Sequence, residues 1–182
     1  MSSAISLRSA MRADAEAIAA LHAAVWHATY RHLAPPAAVA ALTEARRLWQ
    51  WQDVLGGSDS GSLTLIAEID GRIVGFVHAA APQEPLFDAR REVKYLYVGR
   101  ALARRGIGRL LLTRIAFMLH AQGHQAMALG VVAGNEPAIQ FYEALGGKLI
   151  GRYTDPGPLW RSENLLYAWD DLAVFVEPSS GG

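Results

Sequence analysis

The sequence predicts an α/β (α+β) fold in one domain, with a mixed central sheet flanked by helices. Its 182 residues are 52% hydrophobic and 19% charged, which suits one globular domain with a sizeable core. Asp70-Gly71 separates two β-rich runs and predicts an antiparallel hairpin, because Asp-Gly accepts the positive φ angles of a type I′ turn. Further along, a strand–helix–strand succession over residues 92–132 predicts a right-handed parallel crossover. A sheet that contains both kinds of strand pair is mixed.

The first third of the chain predicts one strand followed by two helices. Residues 5–8 are a strand candidate, and Asp14 is a candidate N-cap for a helix that runs to about Tyr30. A second helix is expected from Pro36 to Leu55, because proline is tolerated in the first helical turn. Its apolar side is expected at Val39, Leu42, Trp49 and Leu55. The glycine- and serine-rich run that follows is expected to end this helix as a loop.

The remaining elements alternate between strands and helices. Strands are expected at 63–69, 73–77, 92–98, 126–132, 148–153 and 165–169. The proline-containing run 79–89 is expected to be a loop, and a helix should follow Gly108 and end near Gly123. A shorter helix should begin at residue 135 or 136 and stop at Gly146. The folded core is expected to span about residues 5–172, with a flexible tail at 177–182.

Charge and residue usage exclude several classes of protein. Net charge is zero, but residues 90–114 hold eight basic side chains and one acidic one, so this window is +7 and the rest is −7. A nucleic-acid surface is one interpretation of that window, and a solvated helix surface is another. The absence of cysteine removes disulfides and thiolate metal sites, and the histidines share no spacing typical of a metal centre. No run is long and apolar enough for a membrane span, so a cytoplasmic protein is expected.

The stretch from Tyr95 to Leu112 predicts an anion site, because it is read as a strand, a glycine turn and a helix. Gly106 and Gly108 allow the backbone to turn tightly and present its N–H groups at the start of the helix. The helix macrodipole adds partial positive charge there, which suits a phosphate. No Gly-Lys-Ser/Thr occurs, which excludes a P-loop, and the third glycine of a dinucleotide fingerprint is replaced by Leu111.

Two segments resemble signatures of the GNAT superfamily of N-acetyltransferases. Arg104-Arg105-Gly106-Ile107-Gly108-Arg109 resembles its acetyl-CoA-binding turn, Gln/Arg-x-x-Gly-x-Gly/Ala, with Ala103 at the Gln/Arg position. The second signature, Asn-x-x-Ala-x-x-x-Tyr-x-x-x-Gly, is matched by Asn135, Ala138, Tyr142 and Gly146. The resemblance covers about residues 5–172. It implies a single domain whose mixed sheet is splayed between the fourth and fifth strands.

The same resemblance implies transfer of an acetyl group from acetyl-CoA to a primary amine by direct attack, without an acyl-enzyme. The backbone amides of the turn and its arginines would hold the pyrophosphate. Tyr97 and Val98 would lie along the cofactor, and a main-chain N–H at Val98 would stabilise the oxyanion. Asn135 and Ala138 would contact the pantetheine, although Asn135 also suits a helix cap. Tyr142 is the expected acid that protonates the leaving thiolate, with core packing as the alternative role.

A carboxylate should take the proton of the attacking amine, and Glu92 is the candidate. Strict alternation along the strand would place Glu92, Lys94 and Leu96 on one face, and Val93, Tyr95 and Tyr97 on the other. Glu92 could instead balance the adjacent arginines at positions 90 and 91. Glu68, or a chain of water molecules, would then serve as the base.

The acceptor side is predicted only in part. Trp26, Thr29 and Tyr30 resemble a Trp-x-x-Thr-Tyr segment that lies near the acceptor pocket in some GNAT proteins. Small-molecule and peptide amines both remain open, and no metal, nucleic-acid or membrane partner is expected. A homodimer through the closing strands is a further expectation. The alternative function is a non-catalytic module on the same fold that senses acyl-CoA or binds nucleic acid.

Overall fold

The computed structural model describes residues 4–57, 59 and 61–175, and the expected tail at 177–182 lies outside this part. Its strands are β1 Ser6–Ser9, β2 Leu63–Ile69, β3 Arg72–Ala80, β4 Arg91–Val98, β5 Met127–Val132, β6 Lys148–Asp155 and β7 Ser162–Trp169. They form one sheet in the order β1-β2-β3-β4-β5-β7-β6. The β4–β5 pair is parallel and the other neighbouring pairs are antiparallel, which confirms the mixed sheet.

Helices cover both faces of this sheet. They are α1 Ala15–Tyr30, α2 Pro36–Ala41, α3 Glu44–Leu55, α4 Ile107–Ala121 and α5 Glu136–Ala144. Short 3₁₀ turns occur at Arg12–Asp14, Pro85–Phe87, Arg100–Leu102 and Leu172–Phe175. The helix α4 packs in the largest core on one face, whereas α1 and α3 cover the other. None of the helices in the described ranges is long and apolar enough to cross a bilayer.

The hairpin between β2 and β3 forms as predicted. Asp70 has φ 50° and Gly71 has φ 72°, so both residues occupy the left-handed region that a type I′ turn requires. The strand β3 continues to Ala80, and Phe87 in the following loop is fully buried against Ala128 of β5. Phe87 therefore anchors the C-terminal end of the predicted 79–89 loop to the sheet.

The two parallel strands separate almost at once. Only Arg91 with Met127 and Glu92 with Ala128 are register partners between β4 and β5. The rest of β4 has no partner on this side among the described residues, so its backbone N–H and C=O groups face an opening. The predicted splay between the fourth and fifth strands is confirmed.

The predicted helix from Pro36 to Leu55 is wrong, because the chain breaks after Ala41 and forms two helices. Thr43 has an extended backbone, and its hydroxyl accepts a hydrogen bond from the Arg46 N–H at 3.2 Å. This N-cap starts α3 in a new phase. Trp49, expected on the apolar side, is 73% exposed, whereas Trp51 is fully buried.

The expected alternation along β4 is also wrong, because the strand contains a β-bulge. His78 of β3 pairs with Tyr95, but the adjacent Ala79 pairs with Val93, so Lys94 is the extra residue. As a result, Val93 lies on the α4 side together with Leu96, and Tyr95 lies on the α1/α3 side. Glu92, one residue before Val93, therefore lies on the α1/α3 side.

Candidate active site

A cleft of about 400 Å³ lies at the opening between β4 and β5. Its walls come from the C-terminal part of α1, from β4 and β5, and from the turn before α4. The first turns of α5 close the remaining side. Among the described residues, the cleft thus joins the glycine turn to the matched Asn–Ala–Tyr segment.

The glycine turn presents unpaired backbone N–H groups to this cleft. Arg104 and Gly106 have left-handed backbones, with φ 64° and 81°, which reverse the chain before α4. The first helical hydrogen bond runs from the Leu110 N–H to the Gly106 carbonyl at 3.0 Å. The N–H groups of Ile107, Gly108 and Arg109 precede that bond and have no acceptor within the helix. This arrangement suits an anion, and the positive end of the α4 dipole adds to it.

Glycine is needed at position 108 for another reason. A Cβ atom built there would lie 3.2 Å from the ring of Phe141, so that ring would have to shift by a few tenths of an ångström. Arg104 and Arg109 line the cleft, as do the glycines between them. Arg105 is exposed and is not among the lining residues.

Asn135 connects α5 to α1 across the cleft. Its side-chain amide donates a 3.3 Å hydrogen bond to the Tyr30 hydroxyl, and the side chain makes no cap hydrogen bond to α5. Capping is therefore not what this side chain does. Ala138 and Tyr142, one and two turns further along, line the same cleft.

Tyr142 lies at the boundary between the core and the cleft. Its side chain is 9% exposed, and its ring packs against Phe141 and Trp169 with centroids 5.3 and 6.2 Å away. Burial raises the phenol pKa well above its ordinary value. The hydroxyl therefore stays protonated at neutral pH and can act as a proton donor. Tyr142 therefore both packs in the core and contacts the cleft.

Glu92 lies beside the cleft without being one of its lining residues. The Nζ atom of Lys94, which does line the cleft, is 3.3 Å from the Glu92 Oε2 atom. Burial raises the pKa of the Glu92 carboxyl, and Lys94 only partly offsets this. A carboxylate with a raised pKa is a stronger base at neutral pH.

Glu68 is placed differently. Both of its carboxylate oxygens accept hydrogen bonds from Arg8, at 3.1 and 2.8 Å. It lies on β2 opposite β1, at the far edge of the sheet, and is not a lining residue of the cleft. The geometry therefore favours Glu92 over Glu68 as a base.

The three residues predicted for the acceptor side separate into two groups. Thr29 and Tyr30 line the cleft. Trp26 lies one turn earlier and packs against the Tyr30 ring, with centroids 5.4 Å apart, in a cluster with the helix α2. Trp26 therefore packs against Tyr30 and does not itself line the cleft.

Sequence reasoning missed a set of polar residues on the α1/α3 side of β4. Arg47 and Gln50 project from α3 towards Tyr95, and the Gln50 amide donates to the Tyr95 hydroxyl. Tyr153 of β6 lies over Gly130, where a built Cβ would be 2.0 Å from its hydroxyl oxygen. No pattern in α3 indicated these residues, because its phase depends on the unforeseen start at Thr43.

The histidines do not form a metal centre in the part of the chain that the structure describes. No group of three or more histidine or acidic side chains there could hold a metal ion. His22 is fully buried, and its Nδ1 atom accepts a 3.1 Å hydrogen bond from the Trp51 indole. It has a structural role in the core beneath α1 and α3.

The fold and cleft place the free N–H groups at the start of α4 beside the opening of a splayed sheet. The sequence model of the Acetyltransferase (GNAT) family matches residues 26–147, more than half of the chain. The chain therefore belongs to the GNAT acetyltransferase family. The family resemblance predicted from the two signatures is confirmed, and the protein is an acetyltransferase.

Similar proteins are found both among characterised enzymes and among solved structures. A phosphinothricin N-acetyltransferase from Streptomyces viridochromogenes is 25% identical over 138 residues, which cover 73% of this chain and 69% of that protein. The PaiA N-acetyltransferase of Thermoplasma acidophilum, in complex with coenzyme A, superimposes with a TM-score of 0.75 at 18% identity, covering 92% and 99% of the two chains. YncA of Salmonella typhimurium, a proposed acetyltransferase solved with acetyl-CoA, has a TM-score of 0.69 at 21% identity and covers 99% of both chains. At these identities the structures show the shared fold alone.

Proposed function

We propose that the protein is an N-acetyltransferase that transfers the acetyl group of acetyl-CoA to a primary amine by direct attack. One observation carries the proposal: a single cleft joins the free N–H groups at the start of α4 to Tyr142, along the unpaired edge of β4. That shape suits a long thioester whose phosphates lie at one end. Relatives solved with coenzyme A and acetyl-CoA on this fold support the choice of donor.

The residues of the cleft fit coenzyme A. The N–H groups of residues 106–109 and the Arg104 and Arg109 side chains suit the pyrophosphate, and Arg105 adds positive charge nearby. Tyr97 and Val98 of β4 line the same cleft as Asn135, which precedes α5, and Ala138 of α5, and the pantetheine would lie between them. The bound thioester supplies an activated acetyl group.

The remaining groups suit the transfer step. Glu92 takes a proton from the acceptor ammonium, directly or through water, and the free amine attacks the thioester carbonyl. The Val98 N–H stabilises the negative oxygen that develops, an N–C bond forms and the C–S bond breaks. The Tyr142 hydroxyl donates its proton to the departing thiolate, and the second proton that the nitrogen loses on becoming an amide restores the phenol. Thr29 and Tyr30, backed by Trp26, bound the acceptor side.

Four expectations from the sequence stay predictions. These are a cytoplasmic location, a single acetyltransferase domain across the whole chain, the absence of a nucleic-acid partner, and a homodimer. The last of these concerns the edge strand β6, where Leu149 and Ile150 are 48% and 40% exposed.

The test is a screen of amines against acetyl-CoA, with release of free CoA thiol as the readout. Release that depends on the amine, with an N-acetylated product seen by mass spectrometry, supports the proposal. Binding of acetyl-CoA without release by any amine would favour the acyl-CoA-sensing alternative. Salt-dependent DNA binding without acetyl-CoA binding would favour the nucleic-acid-binding alternative.

A further inference from the structure

Lys94 is one of only two lysines in the sequence, and it lines the cleft proposed for acetyl-CoA. Of the 17 basic residues, 15 are arginine, and the two lysines are Lys94 and Lys148. Lys148 is exposed on the edge strand β6, whereas the Lys94 side chain is 19% exposed. A wall of the cleft therefore carries a primary amine, which is the chemical group that the proposed reaction acetylates.

The backbone places Lys94 near the point where β4 and β5 separate. The last register pair between these strands joins Glu92 to Ala128, and Lys94 is the second residue beyond it. The free N–H groups at the start of α4 lie at the other end of β4, past Val98. A thioester whose phosphates bind at α4 therefore extends along β4 towards Lys94. Tyr142, the proposed proton donor, lines the same cleft.

The Lys94 ammonium is paired with the group proposed as the base. Its Nζ atom lies 3.3 Å from the Glu92 Oε2 atom, and no second carboxylate in the described part of the chain forms an ion pair with it. Lys94 is also the extra residue of the β-bulge, a position at which a strand redirects a side chain. An ammonium must lose a proton before its nitrogen can attack, and Lys94 already lies beside a carboxylate that can take it.

We propose that Lys94 is itself an acceptor, and that its Nζ atom takes the acetyl group from acetyl-CoA bound in the cleft of the same chain. Glu92 takes a proton from the ammonium, the free amine attacks the thioester carbonyl, an N–C bond forms and the C–S bond breaks. The thiolate takes the Tyr142 proton, and the second proton that the nitrogen loses restores the phenol. The products are acetyl-lysine, free CoA thiol and a protonated Glu92. This inference rests on the proposed acetyl transfer from acetyl-CoA.

Acetylation of Lys94 also changes the surroundings of the base. Acetyl-lysine carries no charge, so the modified side chain no longer forms an ion pair with Glu92. The carboxylate is then free to pair with the ammonium of an external amine. Its pKa rises further, because the Lys94 charge that partly offset the effect of burial has been removed.

The first experiment incubates the full chain with acetyl-CoA and no added amine. Intact-mass spectrometry and peptide mapping follow acetylation at Lys94, at Lys148 and at the α-amino group, and a thiol reagent follows CoA release. We expect a single acetyl group on Lys94 and one equivalent of CoA. The rate constant at Lys94 should exceed that at the more exposed Lys148 by roughly tenfold or more, because a bound thioester has a high effective concentration. It should not depend on protein concentration.

Several results of this experiment would overturn the inference. An unmodified Lys94 in a protein that releases CoA with external amines would do so and leave the proposed function intact. Equal rate constants at Lys94 and Lys148 would indicate chemical acetylation by free acetyl-CoA. A rate constant that increases with protein concentration would indicate transfer between molecules. Release of CoA neither by an amine nor by the protein alone would overturn the proposed function, and the inference with it.

The second experiment uses matched variants, each checked for folding by circular dichroism and melting temperature. Lys94→Arg keeps the positive charge beside Glu92 but replaces the amine with a guanidinium, so the single acetyl group should be lost. Lys148→Arg, the same change at an exposed position, should leave acetylation of Lys94 unchanged. Glu92→Gln should slow acetylation of Lys94 and leave the slow background at Lys148 as it was. An unchanged rate constant at Lys94 in Glu92→Gln would overturn the inference.

Discussion

A single substitution can test the hydroxyl of Tyr142 apart from the packing of its ring. Tyr142→Phe keeps the ring between Phe141 and Trp169 but removes the proton donor. We expect kcat to fall by roughly 10²- to 10⁴-fold, the range that general acid catalysis contributes, while the Kd for acetyl-CoA should stay nearly unchanged. Stopped-flow rates and calorimetric binding measure the two quantities.

Tyr167→Phe is the control for this experiment. Tyr167 packs near Tyr142, with ring centroids 6.5 Å apart, but its hydroxyl donates to Glu143 rather than facing the cleft. Its substitution should leave kcat unchanged. Full turnover in Tyr142→Phe would remove this hydroxyl from the mechanism.

Glu92 and Lys94 together set the pH dependence at the residue scale. Burial raises the pKa of Glu92, so the rate should rise with pH along a limb that lies above the ordinary carboxyl range. Lys94 lowers that pKa, so Lys94→Met should move the limb to higher pH. The measurement is kcat/KM against pH. Glu92→Gln should abolish the limb and lower kcat.

Lys148→Met is the matched control, because Lys148 is exposed on the edge strand β6. Its pH profile should coincide with that of the unaltered protein. If Glu92→Gln also retained the limb, the base would be water or another group.

The glycine turn is the element in which the backbone itself is the binding group. Gly106 has φ 81°, and a Cβ atom built there meets nothing within 4 Å. Gly106→Ala should therefore lower stability by about 1 kcal/mol through backbone strain alone, and raise KM for acetyl-CoA. Gly106→Asn should cost less on both counts, because asparagine tolerates the left-handed region.

Thermal unfolding and initial-rate kinetics compare these two variants directly. If Gly106→Asn were as damaging as Gly106→Ala, the bulk of the side chain rather than the φ angle would matter at this turn.

The starts of α3 and α4 show why elements differ in how well they are predicted. The start of α4 depends on Gly106 and the apolar spacing that follows, which are local signals, and the helix begins at Ile107. The start of α3 depends on Thr43 competing with a continuous helical pattern from Pro36. Thr43 is a residue type that favours N-caps, but the helical pattern that continues on both sides of it led to the prediction of one helix. The phase of α3, and with it the position of Arg47, was missed for that reason.

At the scale of the whole molecule, ion pairs of Arg8 connect β1 to the start of α1 and to β2. Its guanidinium pairs with Asp14 at 2.7 Å and with Glu68 at 2.8 Å. These hydrogen bonds hold the pKa of Asp14 below its ordinary value. A lowered carboxyl pKa stabilises the fold above the unfolded-state pKa, and this stability is lost as pH falls through the folded-state value.

Asp14→Asn should therefore lower the free energy of unfolding by about 1–2 kcal/mol at pH 7. The difference should shrink when the pH is lowered to a value below the ordinary carboxyl range, where the unaltered protein also loses the charge. Urea unfolding at both pH values measures this, with Asp53→Asn at an exposed position as the control. A difference that did not depend on pH would contradict the ionic explanation.

The mixed sheet and its splay followed from the family resemblance that the two signatures carry. The cleft residues on β4 and α5 follow from the same signals. The face on which Glu92 lies could not be predicted, since a bulge at Lys94 depends on how β3 pairs with β4 and leaves no mark in the sequence. The pairing of β3 with β4 decided which β4 residues lie on the α1/α3 side, whereas local sequence signals decided the phosphate end.

The separation of β4 from β5 also affects how the two halves of the molecule hold together. Beyond Glu92, β4 and β5 both pack against α4, but no ladder of backbone hydrogen bonds connects them in the described part of the chain. A thioester lying along β4 would bridge the gap as a surrogate strand. Binding of acetyl-CoA would then make the enzyme more rigid and its release would make it less so, because the bound cofactor would connect β4 to β5.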